Sequence, residues 1–192
     1  MSSRGARGAS RHPGGPGGGS VLAHATHPLR YSYQGGQDTG PNPTDRAKPG
    51  AHHHLVVERG GAPLAVFSTA ANVNEGTVLV RLVDAVRPVR RPAGQPGRPR
   101  RRPAKLHADK AYSSRANRAA LRNRHITPRI ARPGVESSAR LGRHRWVVER
   151  TIAWLHRHRR LLIRYERRAD IHQAFLSLGC ALICWRLLHR PR

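Results

Sequence analysis

The sequence predicts an α/β fold, a mixed sheet flanked by helices, on three observations. The first is the order of patterns along the chain: strand, hairpin, helix, strand, helix, strand, helix. The second is Asp109, which closes a short apolar run (Ala104, Leu106, Ala108) just ahead of helix-forming sequence. That placement sets a carboxylate at the carboxyl edge of a sheet, where open α/β folds bind ligands. The third is length, since 192 residues can bury one modest core, with an extension to spare.

The elements follow in chain order. Residues 1–20 are Gly, Arg, Ser and Pro with almost nothing to bury, so a disordered basic segment is expected there. Val21 to Tyr33 reads as an edge strand limited by Pro28. Gly35 to Gly50 is rich in Gly and Pro and reads as loop. His54 to Glu58 and Pro63 to Thr69 are apolar runs separated by Arg-Gly-Gly-Ala, a hairpin in which Gly supplies the positive φ angles. Asn74 precedes a helical pattern from Glu75 to Val86, with Val78, Leu79, Leu82, Val83 and Val86 on one face. Residues 87–103 form a Pro/Arg-rich linker. Lys105 to Asp109 is the next strand, and Ser113 or Ser114 caps a helix to about Asn123 with Ala116, Ala119, Ala120 and Leu121 inward. Ile126 to Ala131 is a short strand despite Pro128, and Arg132 to Gly142 is loop. A long helix follows from about Arg143 to Ile163, and Asp170 caps the last, Ile171 to Leu188. The folded domain is thus expected over 21–188, with a basic tail at 189–192.

Charge narrows the class of partner. Thirty-six Lys and Arg face 10 Asp and Glu, a formal net charge of +26 that repels itself unless a polyanion is present. Arg far outnumbers Lys, and Arg grips phosphate with two parallel hydrogen bonds, so nucleic acid is the expected partner. Cys180 and Cys184 stand one helical turn apart in an apolar helix and read as reduced core residues. The start lacks an apolar signal core, and Ala174 to Leu188, interrupted by Ser177 and Arg186, reads as too short to span a bilayer. A cytoplasmic, nucleoid-associated protein without a membrane segment is expected.

Between Leu106 and Trp154 the acids are Asp109, Glu136 and Glu149. A carboxylate from a strand end and another from a basic helix can together hold divalent cations, and the Arg residues around them suit a phosphodiester. On a helical wheel Val147, Val148, Thr151, Ile152, Trp154, Leu155, Leu161 and Leu162 share the core half. Glu149 falls on the other half in line with Arg145, His156 and Arg160. Trp154 is assigned to the core, Trp146 lies nearer the boundary, and Tyr112 is a packing residue. Alternation along a strand sends His52 and His54 to one face and His53 to the other, so His52 to His54 read as a polar strand start rather than a metal site.

Several stretches also resemble the catalytic part of bacterial insertion-sequence transposases of the DDE superfamily. They are GGQDTGPNPTDRAKPGAHHHLVV, PLAVFSTAANVNE, LHADKAYSSRANRAALRNRHI and the run from Gly142 to Leu188, which joins RWVVERT to RYERRADIH and CALICWR. The resemblance implies a ribonuclease-H-like fold and cleavage and strand transfer of DNA at transposon ends. It also implies Asp109 and Glu149 as catalytic ligands of Mg²⁺ (or Mn²⁺). Arg143, Arg145, His156, Arg157 and Arg160 would meet DNA, although Gly142 and His156 stand where many relatives have tyrosine and lysine. Relatives carry a first Asp on a strand ahead of the Gly35 to Gly50 loop; here His24 takes that place, or Thr26 if the alignment shifts by two. Imidazole is a poor Mg²⁺ ligand, though Mn²⁺ tolerates it better. The implied protein is a transposase catalytic domain of weak or absent activity, acting as a homodimer or with a partner polypeptide that supplies DNA recognition. A non-catalytic basic DNA-binding remnant is the rival reading, and an RNA-associated ribosomal-type protein ranks last.

Overall fold

A computed structural model describes residues 20–28, 32, 35–89, 98–99, 102–132 and 138–189, without the side chains of 20–28 and 138–145. Residues 1–19 and most of the 87–103 linker and of the basic tail, read above as irregular, lie outside the described residues. The strands are β1 (Ser20–Pro28), β2 (Gly40–Pro41), β3 (Pro49–Glu58), β4 (Pro63–Ala70), β5 (Lys105–Ala108) and β6 (Thr127–Ile130). They form one sheet in the order β2-β3-β1-β5-β6, with β4 also paired to β3. β3 runs antiparallel to β1 and β4, while β1, β5 and β6 are mutually parallel. An antiparallel meander continued by parallel strands is the ribonuclease-H-like arrangement expected. The helices are α1 (Glu75–Asp84), α2 (Arg115–Asn123), α3 (Ser138–Leu155), α4 (Arg159–Leu162) and α5 (Ala169–Leu188).

β1 is a correction to the edge strand expected, because it lies between β3 and β5 in the middle of the sheet. Pro28 does not forbid this, since it falls on the last residue of the strand. Pro128 does sit on an edge, as β6 ends the sheet. β3 is also longer than its apolar run, taking in His52 to His54 as buried central residues rather than a polar start.

Burial explains that length, because both faces of β3 are covered. Val56 joins Phe67, the α1 residues Val78, Leu79, Leu82 and Val83, and Leu106, Ala108, Leu121 and Ile130 in one core. Leu55 and Val57 point the other way, against Val147, Val148, Ile152, Leu155, Leu161 and Leu176 from α3, α4 and α5.

Asn74 caps α1 by accepting from Gly76 N at 2.8 Å, and Ser114 caps α2 by accepting from Asn117 N at 3.0 Å. In α2 the inward set is Asn117 and Leu121, whereas Ala116 and Ala119 are exposed. The Asn117 amide donates to Gly76 O at 2.8 Å and Tyr112 O at 3.0 Å, tying α1 and α2 together, which apolar periodicity alone could not reveal. Asp170 does not cap α5; it lies within the first turn and accepts from Arg168 instead. The long helix expected to Ile163 ends at Leu155, and a turn at His156 to His158 leads into α4. α5 is 20 residues and, by length and composition alone, long and apolar enough to cross a membrane, which corrects the shorter reading. It is folded onto β4 and α3 with His172, Leu176, Gly179, Cys180 and Ile183 buried.

The buried histidines make the fold acid-sensitive. Burial holds His54 down at about 4 and lowers His52, His53 and His172, the last helped by the nearby Arg164 charge. His53 Nε2 and His172 Nε2 share a hydrogen bond of 2.9 Å, and His172 Nδ1 faces Glu166 Oε2 at 3.4 Å. An unfolded histidine takes up its proton near pH 6.5, so the unfolded chain binds more protons below that value and stability falls with pH. The loss begins near 6.5 and for His54 is complete below about 4, on the order of 3 kcal/mol for that residue. Thermal melts between pH 7 and 4 should show a falling midpoint, and His54→Gln should flatten the fall; an unchanged slope in that variant would discard the assignment.

Candidate functional site

Asp109 follows the last residue of β5 and leads into a 3-10 turn, Lys110–Tyr112, whose first backbone amide donates to its carboxylate at 2.6 Å. The turn holds because Tyr112 is fully buried beneath it, as the packing role predicts. Leu106 and Ala108 enter the α1/α2 core, so alternation turns His107 and Asp109 toward the opposite face, the one that carries α3. β1 and β5 pair as Ser20 with Lys105, Val21 with Leu106 and Leu22 with His107. The same offset carried two residues on sets His24 level with Asp109 on the neighbouring strand. His24 itself pairs with Leu55 on the other side.

Glu149 is exposed on α3, which packs across β1 and β3. Its helix is pinned by the next two residues. Arg150 Nη2 donates to Gly60 O at 2.7 Å and Thr151 Oγ1 to Gly61 O at 2.9 Å, both in the β3–β4 turn. Gly61 has φ +96°, and a Cβ there would lie 2.8 Å from Arg150 Nη2 and 3.1 Å from Thr151 Oγ1, so glycine is what lets the turn reach the helix. The Arg150 guanidinium also sits between Trp146 and Trp154, 4.6 Å and 4.7 Å from their ring centres. This clamp was missed in the sequence, although residues 146, 150 and 154 at successive four-residue spacing signal it. Trp154 is only partly buried, packed against the α3 core, and Trp146 is half exposed.

The other basic candidates scatter. Arg143 and Arg145 lie on α3 with their side chains outside the described residues. Arg157 is exposed in the turn after α3. His156 does not extend the Glu149 stripe outward, because its ring is half-buried 6.1 Å from His53. Arg160 lies beyond the helix break; its Nη1 donates to Glu166 Oε1 at 2.6 Å and its guanidinium covers Phe175. Among the described residues no three His, Cys, Asp or Glu side chains are grouped to hold a metal ion.

A family model described as Transposase DDE domain matches residues 18–184. The chain belongs to the DDE transposase family. A Burkholderia cepacia protein named "Putative transposase for insertion sequence element IS402" is 57% identical over 152 residues, spanning 79% of this chain and 71% of that one. A looser likeness joins it to the catalytic core domain of BIV integrase, with a TM-score of 0.44 and 12% identity over 86% of this chain and 82% of that one. For a DDE transposase the substrate class is DNA, in keeping with the net charge of +26.

Proposed function

We propose that this transposase cuts and joins DNA at the ends of a bacterial insertion sequence, with Asp109 and Glu149 holding a divalent cation, Mg²⁺ or Mn²⁺, and with activity kept weak by His24. The supporting observation is the position of Asp109 directly after β5, the strand that pairs in parallel with β1, which carries His24. Glu149 adds to it. It stands about 100° from Arg150 and about 200° from Thr151 on the helix, and since both of those bind the β3–β4 turn, it lies on the side away from that turn. On this reading that side faces β5, which lies beyond β1 in the sheet order.

The donor set suits a hard cation only in part. Two carboxylates supply oxygen ligands, while the first-acid position offers an imidazole, which favours Mn²⁺ over Mg²⁺. A cation held there would polarise the scissile phosphate and make bound water acidic. The chain's own contribution is to hold the backbone of the DNA with Arg143, Arg145, Arg157 and, once freed from Glu166, Arg160, and to fix α3 through the Arg150 clamp. His156 serves the interior rather than the phosphate. The catalytic domain occupies 21–188, works in the nucleoid, and draws its end recognition from a second copy or a partner polypeptide.

His24→Asp should raise Mg²⁺-dependent nicking of supercoiled DNA by roughly tenfold or more, as expected for restoring one oxygen ligand. Robust Mg²⁺-dependent cleavage by the unmodified protein, lost in Asp109→Ala, would overturn the weak-activity reading. The histidine favours a second reading as well, a DNA-binding remnant without catalysis. Under it, affinity survives substitution of both acids and falls with log salt by about 0.9 per phosphate neutralised.

A further inference from the structure

The stretch from Lys110 to Arg132 holds seven Lys and Arg and no Asp or Glu. The fold puts four of the seven to structural use. Arg124 pairs with Asp84 at 2.8 Å. Arg118 Nη2 donates to Ile130 O at 3.0 Å and to Ser113 Oγ at 3.1 Å, which pins the first turn of α2 to the end of β6. Arg129 lies within the edge strand β6, where a charge discourages pairing with another sheet. Arg122 stands in the last turn of α2, where a cation suits the helix dipole.

Lys110, Arg115 and Arg132 serve none of these ends. All three are exposed, and among the described residues no carboxylate forms an ion pair with any of them. They gather at one corner of the sheet. Lys110 follows Asp109 directly, Arg115 opens α2, and Arg132 lies two residues past Ile130, which Arg118 ties to that same first turn. Ala131 N donates to Ala108 O at 3.4 Å, so the chain leaving β6 runs beside Asp109. Arg115 decides between a solvated surface and a binding one. As the first residue of α2 it opposes the positive end of the helix dipole, and no acid in that turn offsets it, so it costs the free chain stability. Cations crowded there become favourable once a phosphate lies among them.

We propose that Lys110, Arg115 and Arg132 are positioning residues that hold the DNA backbone on the side of Asp109 remote from α3. α3 packs on β1 and β3, whereas β6 lies on the other side of β5. A strand lying over Asp109 is then gripped from two sides, by the arginines of α3 and by this corner. The three cations touch no reacting atom, and the inference rests on Asp109 lying at the phosphate that is cut. Contacts of this kind fix where a strand lies without reading its bases, so the corner accepts any sequence.

Fluorescence anisotropy of a labelled duplex carrying the end of the element, titrated with the full chain in EDTA across a range of salt, tests it. Changing all three residues to alanine should lower the slope of log affinity against log salt by about 2.7, or about 0.9 for each phosphate released, and weaken binding roughly a hundredfold at physiological salt. Arg122→Ala removes an exposed cation from the far end of the same helix and should leave the slope as it was. Arg115→Ala alone should bind more weakly yet melt no lower than the wild type, an outcome that a role in folding would not give. A wild-type slope in the triple variant, an equal loss in Arg122→Ala, or a lower melting point in Arg115→Ala would each overturn the proposal. The titration contains no divalent ion, so its outcome is separate from whether Asp109 and Glu149 hold one, which nicking by variants of those acids decides.

Discussion

Asp109→Asn and Glu149→Gln should each lower DNA nicking in Mn²⁺ by a hundredfold or more, with DNA affinity unchanged. The magnitude follows from the several kcal/mol of charge stabilisation a bound cation supplies, about 1.4 kcal/mol per factor of ten. Binding should survive because the Arg side chains proposed to meet phosphate lie elsewhere, and removing a negative charge near DNA does not weaken their grip. Neither change should unfold the protein. Glu149 is exposed, and Asn at 109 keeps an oxygen to accept from the Lys110 amide, the bond now 2.6 Å long. Nicking by Glu149→Gln at the wild-type rate would remove that residue from the site.

Loss of Arg164 should be the most damaging single change to stability. Its side chain is fully buried, and it donates from Nε to Glu166 O at 2.9 Å, from Nη1 to Asp38 O at 3.2 Å and from Nη2 to Gln37 O. The same segment is joined by Gln37 N to Arg167 O at 2.9 Å and Ala169 N to Gln37 Oε1 at 3.2 Å. Gly36, at φ +130°, lies so close that a Cβ would fall 2.4 Å from Arg167 O. Arg164 therefore fastens the loop after β1 to the link between α4 and α5. Arg164→Met fills much of the volume but strands one buried and two part-buried carbonyls, at a cost of about 3 kcal/mol. For a chain of this size that is a fall in Tm of about 6–12 °C. A variant melting within 2 °C of the wild type would refute the assignment.

Sequence pattern reached the elements whose burial is one-sided. α1 and its Asn74 cap, the Gly61 turn, β5 and the inner face of α3 were legible because apolar period and turn chemistry agree there. β1 and the start of β3 were misread for a shared reason. Both are central strands broken by residues that suit an edge or a strand start, Pro28 in the first and His52, His53 and His54 in the second. The break after Leu155 escaped notice because neither Gly nor Pro marks it. For the site, the two carboxylates were visible in the sequence, while the Arg150 clamp and Arg164 were not, since their partners are backbone carbonyls from distant segments.

Manganese binding, followed by the loss of the free-ion electron paramagnetic resonance signal, tests most directly whether Asp109 and Glu149 share one cation. Either substitution alone should abolish uptake, and the double variant should be no worse than the singles, as for ligands of one site. Uptake at wild-type strength in either single variant, or losses that add as if from separate sites, would contradict it.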